Sequence, residues 1–120
     1  MSNKTQPSSL ELYTLAAERS SNAVIASYST SFGVATKLLA PEIRQHVRNI
    51  YALVRVADEI VDGAAAEARV GGGNVEPSVA LDQLEAEIYK TLRSHFSTNL
   101  VVHAFAKTAN ETGFARGIIE

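Results

Sequence analysis

The chain has 120 residues, 46% hydrophobic and 20% charged, which predicts one globular domain with a single core. Its 11 basic and 13 acidic residues give a net charge of −2, which is not the electrostatic footprint of a nucleic-acid-binding protein. Cysteine is absent, so disulfides and thiolate zinc sites are excluded. The polar N-terminus, MSNKTQPSS, is not typical of a signal peptide, and no apolar run has the length of a transmembrane segment. We expect a cytoplasmic protein, for which peripheral association with a membrane is compatible with the sequence.

Helices are predicted along nearly the whole chain. Alanine, leucine, glutamate and arginine dominate, and no stretch alternates with the period of a strand. We expect residues 1–8 to be flexible and residues 9–120 to form a single all-helical domain. The predicted fold class is therefore all-α, a helical bundle.

Local signals place the ends of these helices. Ser8 and Glu11 have the spacing of a capping box, Pro41 suits the first position of a helix, and Ser78 and Asn99 are candidate N-caps. The predicted helices span residues 8 to about 26, a short piece ending at 39, 41 to 63 or slightly beyond, 78 to about 96, and 99 to about 112. The hydroxyl-rich residues 28–31 predict a break, because their side chains compete for backbone hydrogen bonds.

Glycine marks one clear loop and one helix end. Three consecutive glycines and a closing proline predict a glycine-rich loop at residues 69–77. Gly113 predicts the end of the last helix. Phe114, Ile118 and Ile119 then resemble the start of another apolar helical face. This pattern predicts that the chain is a fragment of a longer protein.

The third helix carries a polar stripe beside a wide apolar arc. At about 100° per residue, six polar or ionisable side chains fall within about 80° of one another. They are Arg44, Arg48, Tyr51, Arg55, Asp58 and Asp62, with Glu59 just outside the edge. Nine apolar residues cover about half of the circumference, and we expect little of this helix to face water. They are Ile43, Val47, Ile50, Leu53, Val54, Val56, Ala57, Ile60 and Val61.

Two interpretations of the stripe remain open. It is either the solvated face of an amphipathic helix, with ordinary pairs between Arg55 and Asp58 or Glu59, or a binding site. Asp58 and Asp62 lie one turn apart, about 6 Å along the axis, and two like charges at this spacing destabilise a helix unless a cation joins them. Mg²⁺ prefers one or two carboxylates together with substrate phosphates. Arg55 would face the same phosphate, and Tyr51 would donate to it or stabilise a cation with its ring.

The stretch SYSTSFGVATKLLAPEIRQHVRNIYALVRVADEIVD resembles the N-terminal motif region of the squalene and phytoene synthase family. The resemblance covers residues 27–62, and several parts occur in order: the hydroxyl-rich SF segment, the LL-P-R passage and a Y-x-x-x-R-x-x-D-x-x-x-D run. It implies the N-terminal half of an isoprenoid-synthase-type fold. It also implies a transferase of isoprenoid and carotenoid biosynthesis, which joins two farnesyl or geranylgeranyl diphosphates head to head.

The resemblance implies a role for each matching residue. Asp58 and Asp62 would bind Mg²⁺, the implied cofactor, which carries the diphosphate of an allylic substrate. The catalytic residues would be Tyr51, beside the reacting carbons, and Arg55, on the diphosphate. A further set would bind substrate, with the last member at the prenyl-tail pocket: Tyr28, Ser29, Thr30, Ser31 and Phe32. The alternative for the serine run is a capping turn, and the role of Glu59, which matches the family's second acid, stays open.

In such enzymes, metal-assisted loss of diphosphate gives an allylic cation, and attack by the second substrate's double bond gives a cyclopropyl intermediate. The family's second aspartate-rich motif has no match between residues 64 and 120, so we expect the 120-residue chain alone to bind metal weakly and to be inactive. It would expose the walls of half a cavity, so we also expect self-association. His46, His95 and His103 lack ligand spacing and are interpreted as structural or surface residues.

A second hypothesis belongs to a different class of function. A chain that lacks the second motif would also suit a non-catalytic helical interaction or oligomerisation module derived from the same family. That module would assemble regardless of Mg²⁺ or diphosphate. Product chain length, C30 or C40, does not follow from these residues under either hypothesis.

Overall fold

The structure is a computed structural model that describes residues 6–113. Over this range it contains six α-helices and no strand, which confirms the predicted all-α class. The helices are α1 (Ser9–Tyr28), α2 (Thr30–Thr36), α3 (Pro41–Asp62), α4 (Ala64–Val70), α5 (Pro77–Ser94) and α6 (Leu100–Thr112). None of the six is both long enough and apolar enough to cross a membrane.

The capping box at the start of α1 and the break after it are confirmed. The Ser8 hydroxyl accepts from the Glu11 N–H at 3.1 Å, and the Glu11 carboxylate accepts from the Ser8 N–H at 2.8 Å. Ser29 has extended backbone and separates α1 from α2. Its hydroxyl accepts from the Phe32 N–H at 3.1 Å, so this side chain caps α2. The hydroxyl-rich segment therefore turns the chain at the predicted place.

The third predicted helix is confirmed, and the loop after it is shorter than predicted. Pro41 is the first residue of α3. An N–H at this position has no partner within the helix, so the missing N–H of proline costs no hydrogen bond. The prediction of a loop over residues 69–77 is wrong at both ends. The helix α4 continues through Val70 and α5 begins at Pro77, so only residues 71–76 lie between helices.

The last two helices agree with the sequence except at the ends of α5. Pro77 occupies its first turn and Glu76 is the N-cap, so the prediction that Ser78 caps it is wrong. α5 stops at Ser94 because His95 adopts the left-handed conformation, with φ of 65°. The Asn99 cap of α6 is confirmed by a 3.1 Å bond from the Val102 N–H. Gly113, with φ of 88°, ends α6 as predicted, and the apolar residues after it lie outside the described residues.

The core forms where α1, α3 and α6 contact one another and α5 covers α6. Ala17 and Ile25 of α1 and Ala52 of α3 are buried in it. Its main apolar cluster comes mostly from α6, and α3 and α5 contribute one leucine each. The residues of this cluster are Leu53, Leu92, Val102, Phe105, Ala106 and Ala109. Small alanines on α6 allow the neighbouring helices to approach closely, so α6 lies at the centre of the bundle.

A polar junction joins α1, α3 and α6 beside this core. Asn49 of α3 is fully buried, and its amide donates to Thr108 Oγ1 at 2.9 Å and to Glu18 Oε2 at 3.3 Å. Its carbonyl oxygen accepts from Gln45 at 2.9 Å. His46 also contacts the Thr108 hydroxyl, at 2.9 Å. Because a buried amide requires such partners, Asn49 fixes the face that α3 presents to the bundle.

The expectation that little of α3 faces water is wrong for this chain. The buried side of α3 centres on Asn49, Ala52 and Leu53. Four residues of the apolar arc lie on another side and are exposed: Ile43 (48%), Ile50 (36%), Val54 (52%) and Val61 (52%). The bundle buries a face that includes the polar residue Asn49, near one edge of the apolar arc and not at its middle. The apolar arc is consequently split between the core and the surface.

His103 of α6 is 3% exposed and neutral in its surroundings. The Ser97 N–H donates to Nδ1 at 3.2 Å, so the proton lies on Nε2, which faces the Thr14 hydroxyl at 3.0 Å. Desolvation lowers the pKa of His103, and the attraction of Glu18 offsets only part of this effect. Protonation of Nδ1 would also break the bond from Ser97.

Replacing Asn49 with alanine is expected to lower the free energy of unfolding by about 1–3 kcal/mol, because its bonds to Glu18, Gln45 and Thr108 are lost inside the bundle. Urea denaturation followed by circular dichroism measures the change. The control is Gln83→Ala on the exposed side of α5, which should change stability by less than about 0.5 kcal/mol. Equal effects of the two substitutions would contradict the assigned role of Asn49.

Stability is expected to fall as the pH drops below about 6.5, the ordinary pKa of histidine. In this window the unfolded chain binds a proton at residue 103 that the folded chain, with its lowered pKa, does not bind, so acid favours unfolding. Urea denaturation between pH 5.5 and 7.5 should show a steeper dependence for the wild type than for His103→Gln. His95→Gln, at an exposed site, is the control and should keep the wild-type slope. Identical slopes in all three proteins would exclude His103 as the cause.

Candidate functional site

The polar stripe of α3 divides into three parts with different surroundings. Its first part, Arg44 and Arg48, binds the end of α2. Arg44 donates to the carbonyl oxygens of Thr36, Lys37 and Leu39 at 3.1–3.3 Å, and Arg48 donates to the Thr36 hydroxyl at 3.2 Å. The carbonyl groups of Lys37 and Leu39 lie beyond the end of α2, and that of Thr36 also accepts from the Leu39 N–H at 3.1 Å. The two arginines therefore stabilise the α2–α3 connection.

Arg55, in the middle part, is held by two neighbours. Its Nη2 donates to Glu59 Oε2 at 2.6 Å, and its guanidinium carbon lies 4.8 Å from the centre of the Tyr28 ring. The Nε atom is buried without a hydrogen-bond partner among the described residues. Desolvation lowers the pKa of Arg55, but the hydrogen bond and charge of Glu59 outweigh it, so the pKa is raised. Arg55 is therefore a fixed cation whose buried Nε–H lacks a partner among the described residues.

Tyr51 stacks on Phe32, which connects α3 to α2. The ring centres are 4.3 Å apart and the planes differ by 18°. Both residues are half-buried. The structure thus brings together Tyr28, Phe32, Tyr51 and Arg55, four of the residues that the sequence assigned to one site.

Asp58 and Asp62 form the last part of the stripe and are exposed. Neither takes part in a hydrogen bond or ion pair among residues 6–113. Their carboxylates suit Mg²⁺ that also binds a phosphate, since Mg²⁺ uses one or two protein carboxylates in such sites. The same range contains no group of three side chains that could hold a metal ion, so its described residues do not form a closed metal site.

The predicted serine segment has mixed surroundings. Ser29 and Thr30 line a crevice of about 330 Å³ that also includes Lys37 and Arg48. Ser31 is exposed, and the Ser29 hydroxyl caps α2, as the alternative interpretation of this segment proposed. The crevice lies on the side of α2 that carries Lys37, and neither aspartate lines it.

A larger groove of about 900 Å³ lies elsewhere, between α1 and α6. Its lining includes Leu10, Glu18, His103 and Lys107 but no residue of the stripe. Asp58 and Asp62 therefore line neither this groove nor the crevice beside α2. The physical reason is that no described helix packs over the outer side of α3, where Val54 and Val61 are also exposed.

Sequence reasoning missed two features of the site. It gave no role to Arg44 and Arg48, although carbonyl groups at the end of a short helix ahead of a proline require donors nearby. It also left the choice of partner for Arg55 open between Asp58 and Glu59. Both lie within one turn, and helix spacing alone does not choose between them.

The family model for squalene/phytoene synthase matches residues 25–120. The chain belongs to this family, as the motif region had indicated. A curated relative is the 15-cis-phytoene synthase of Paracoccus sp. (strain N81106 / MBIC 01143), 38% identical over 65 residues. The match covers 54% of this chain and 21% of the relative, so it spans about a fifth of that protein's length. No solved structure matches the chain.

Proposed function

We propose that this chain carries part of the substrate site of an Mg²⁺-dependent prenyltransferase that joins two prenyl diphosphates head to head. The substrates would be farnesyl or geranylgeranyl diphosphate, and the pathway would be isoprenoid or carotenoid biosynthesis. Membership of the squalene/phytoene synthase family and the likeness to a phytoene synthase support the proposal. The observation that carries it is the order of side chains on α3: a fixed guanidinium at Arg55, followed by two carboxylates that make no hydrogen bond or ion pair among residues 6–113.

Each part of the site would act on a different portion of the substrate. Arg55 would bind an oxygen of the diphosphate through a guanidinium N–H that Glu59 leaves unused, since a hydrogen bond between two charged groups is strong. The ring of Tyr51, supported by Phe32, would lie against the allylic carbons and stabilise positive charge there. Tyr28, Ser29, Thr30, Ser31 and Phe32 would contact the rest of the substrate.

Asp58 and Asp62 would hold the metal. Bound Mg²⁺ would neutralise the charge of the diphosphate and so favour its departure. The two carboxylates are one turn apart on a rigid helix, so they would fix the direction of approach of the metal-bound diphosphate relative to Arg55. Exclusion of water would require further walls, because both carboxylates are exposed in the described chain.

The proposal includes the behaviour of the chain on its own. We expect the 120-residue protein to be inactive and to bind Mg²⁺ weakly, because two exposed carboxylates are a weak site without a phosphate. We also expect it to be cytoplasmic or peripheral to a membrane. It should self-associate through the exposed apolar surface formed by Ile43, Ile50, Val54 and Val61.

The same exposed apolar surface of α3 supports a second candidate function, a non-catalytic helical interaction module. Its residues repeat at intervals of seven, four and seven, the spacing of a face that packs against another helix. This function predicts an oligomer whose assembly is unchanged by Mg²⁺ and diphosphate. Because the first proposal also expects self-association, the two are separated by the activity assay that follows: the interaction module forms no product and releases no diphosphate.

Activity is tested on the 120-residue chain and on the longest protein that its reading frame encodes. Each is given Mg²⁺ with farnesyl or geranylgeranyl diphosphate, and C30 and C40 products and released diphosphate are measured. The longer protein should form product, and Asp58→Asn or Asp62→Asn should each lower its kcat at least about a hundredfold without changing its Tm, since each removes a metal ligand. Asp82→Asn, exposed on α5, is the matched control and should keep full activity. If the longer wild-type protein forms no product and releases no diphosphate, the proposed function is refuted.

A further inference from the structure

Glu59 has both carboxylate oxygens occupied. Oε2 accepts from Arg55 Nη2 at 2.6 Å, and Oε1 accepts from the Ala64 N–H at 2.9 Å. The second bond satisfies a backbone donor at the start of α4, where no side chain of the N-cap residue Gly63 can do so. Glu59 therefore links the guanidinium of α3 to the beginning of the next helix.

The space around this carboxylate explains the glycine at position 63. A Cβ added to Gly63 would lie 2.2 Å from Glu59 Oε1 and 2.7 Å from the carboxyl carbon. Real carbon contacts are never this short, so any side chain at position 63 would displace the Glu59 carboxylate. Gly63 thus leaves open the place from which Glu59 reaches both Arg55 and Ala64.

The pairing also decides which acids stay free. Asp58 and Glu59 follow Arg55 by three and four residues, and either spacing permits an ion pair. Arg55 pairs with Glu59, which is 22% exposed, and Asp58 has no ion pair among residues 6–113. On a helical projection Glu59 lies about 100° from Asp58 and about 60° from Asp62. Each of its oxygens already accepts one hydrogen bond, and the two bonds hold the carboxylate toward Arg55 and Ala64.

We propose that Glu59 is a positioning residue that aims Arg55 at the substrate diphosphate, and that it is not a ligand of the metal held by Asp58 and Asp62. This inference rests on the proposed function and assigns a role to the acid that the motif leaves undefined. The variant that tests it best is Gly63→Ala, which displaces the Glu59 carboxylate without changing any charge. Glu59→Gln, by contrast, removes a charge and a strong acceptor together.

The first experiment observes Arg55 directly, without any ligand. The ¹⁵N side-chain resonances of Arg55 should be resolved and slowly exchanging in the wild type, because the guanidinium is held by Glu59 and by the Tyr28 ring. In Glu59→Gln and in Gly63→Ala, the Arg55 side-chain resonances should exchange rapidly and should no longer be resolved. Gly71→Ala, where the nearest atoms to a new Cβ are at 3.7 Å, is the matched glycine control and should leave them unchanged.

The second experiment measures the binding of inorganic pyrophosphate to the 120-residue chain by calorimetry, over a series of Mg²⁺ concentrations. Gly63→Ala should weaken pyrophosphate binding about tenfold, the loss typical of a supporting residue behind a direct contact. It should cause no further loss in an Arg55→Gln background, since both changes remove the same interaction. Asp58→Asn should raise the Mg²⁺ concentration needed for half-maximal binding about tenfold or more, whereas Glu59→Gln should leave it within about twofold of wild type.

The outcomes separate this inference from the proposed function. If Glu59→Gln raises the Mg²⁺ requirement as much as Asp58→Asn does, Glu59 is a ligand and the inference is overturned. If pyrophosphate binding is intact in the wild type and in Gly63→Ala, the inference alone fails. If the wild type binds no pyrophosphate at any Mg²⁺ concentration, the proposed substrate site fails, and a change in the Arg55 resonances would then describe only a structural ion pair.

Discussion

The rotation of α3 about its own axis depends on the buried amide of Asn49. This side chain bonds to α1 and α6 at once, so one face of the helix is fixed toward the centre of the bundle. Arg55 lies about 120° around the helix from Asn49, and its position toward α1 and α2 follows from that rotation. An apolar residue at position 49 would bury equally well but would accept several rotations, whereas an amide with defined partners accepts one.

The rotation gives neighbouring charges on one helix separate tasks. The arginines nearest the start of α3 stabilise the end of α2, and the pair formed by Arg55 and Glu59 faces Tyr28. Asp58 and Asp62 remain without partners in the described chain. A helix that satisfied all of its charges internally would have nothing left to bind a ligand, and one that satisfied none would be unstable. In α3, Glu59 forms an ion pair with Arg55 and Asp58 forms none, so the helix lies between these extremes.

Most of the fold was predictable because its signals are local. Ser8 with Glu11, Pro41, Asn99 and Gly113 each act within one turn of the backbone, and the structure confirms all four. The error at Ser78 is also local, since a proline one residue earlier provides a better first position. The burial of Asn49 could not be predicted in this way. Its partner Thr108 is 59 residues away, and no spacing rule connects the two.

For the candidate site, the sequence predicted which residues share a face of α3 but not which contacts they make. Helix periodicity placed Tyr51, Arg55 and Asp58 on one face, and the structure has them there. Periodicity could not show which acid Arg55 chooses, because that depends on the room beside Gly63. It also could not show which part of the apolar arc stays exposed, since exposure depends on the helices that pack nearby.

The stacking of Phe32 on Tyr51 makes the two faces of the tyrosine ring inequivalent. One face is covered at 4.3 Å between ring centres, so a flat unsaturated group can reach only the other. A flat molecule that stacks on Tyr51 must therefore approach from the side opposite Phe32. The contact between α2 and α3 thus sets a direction of entry, before any wall of a cavity is considered.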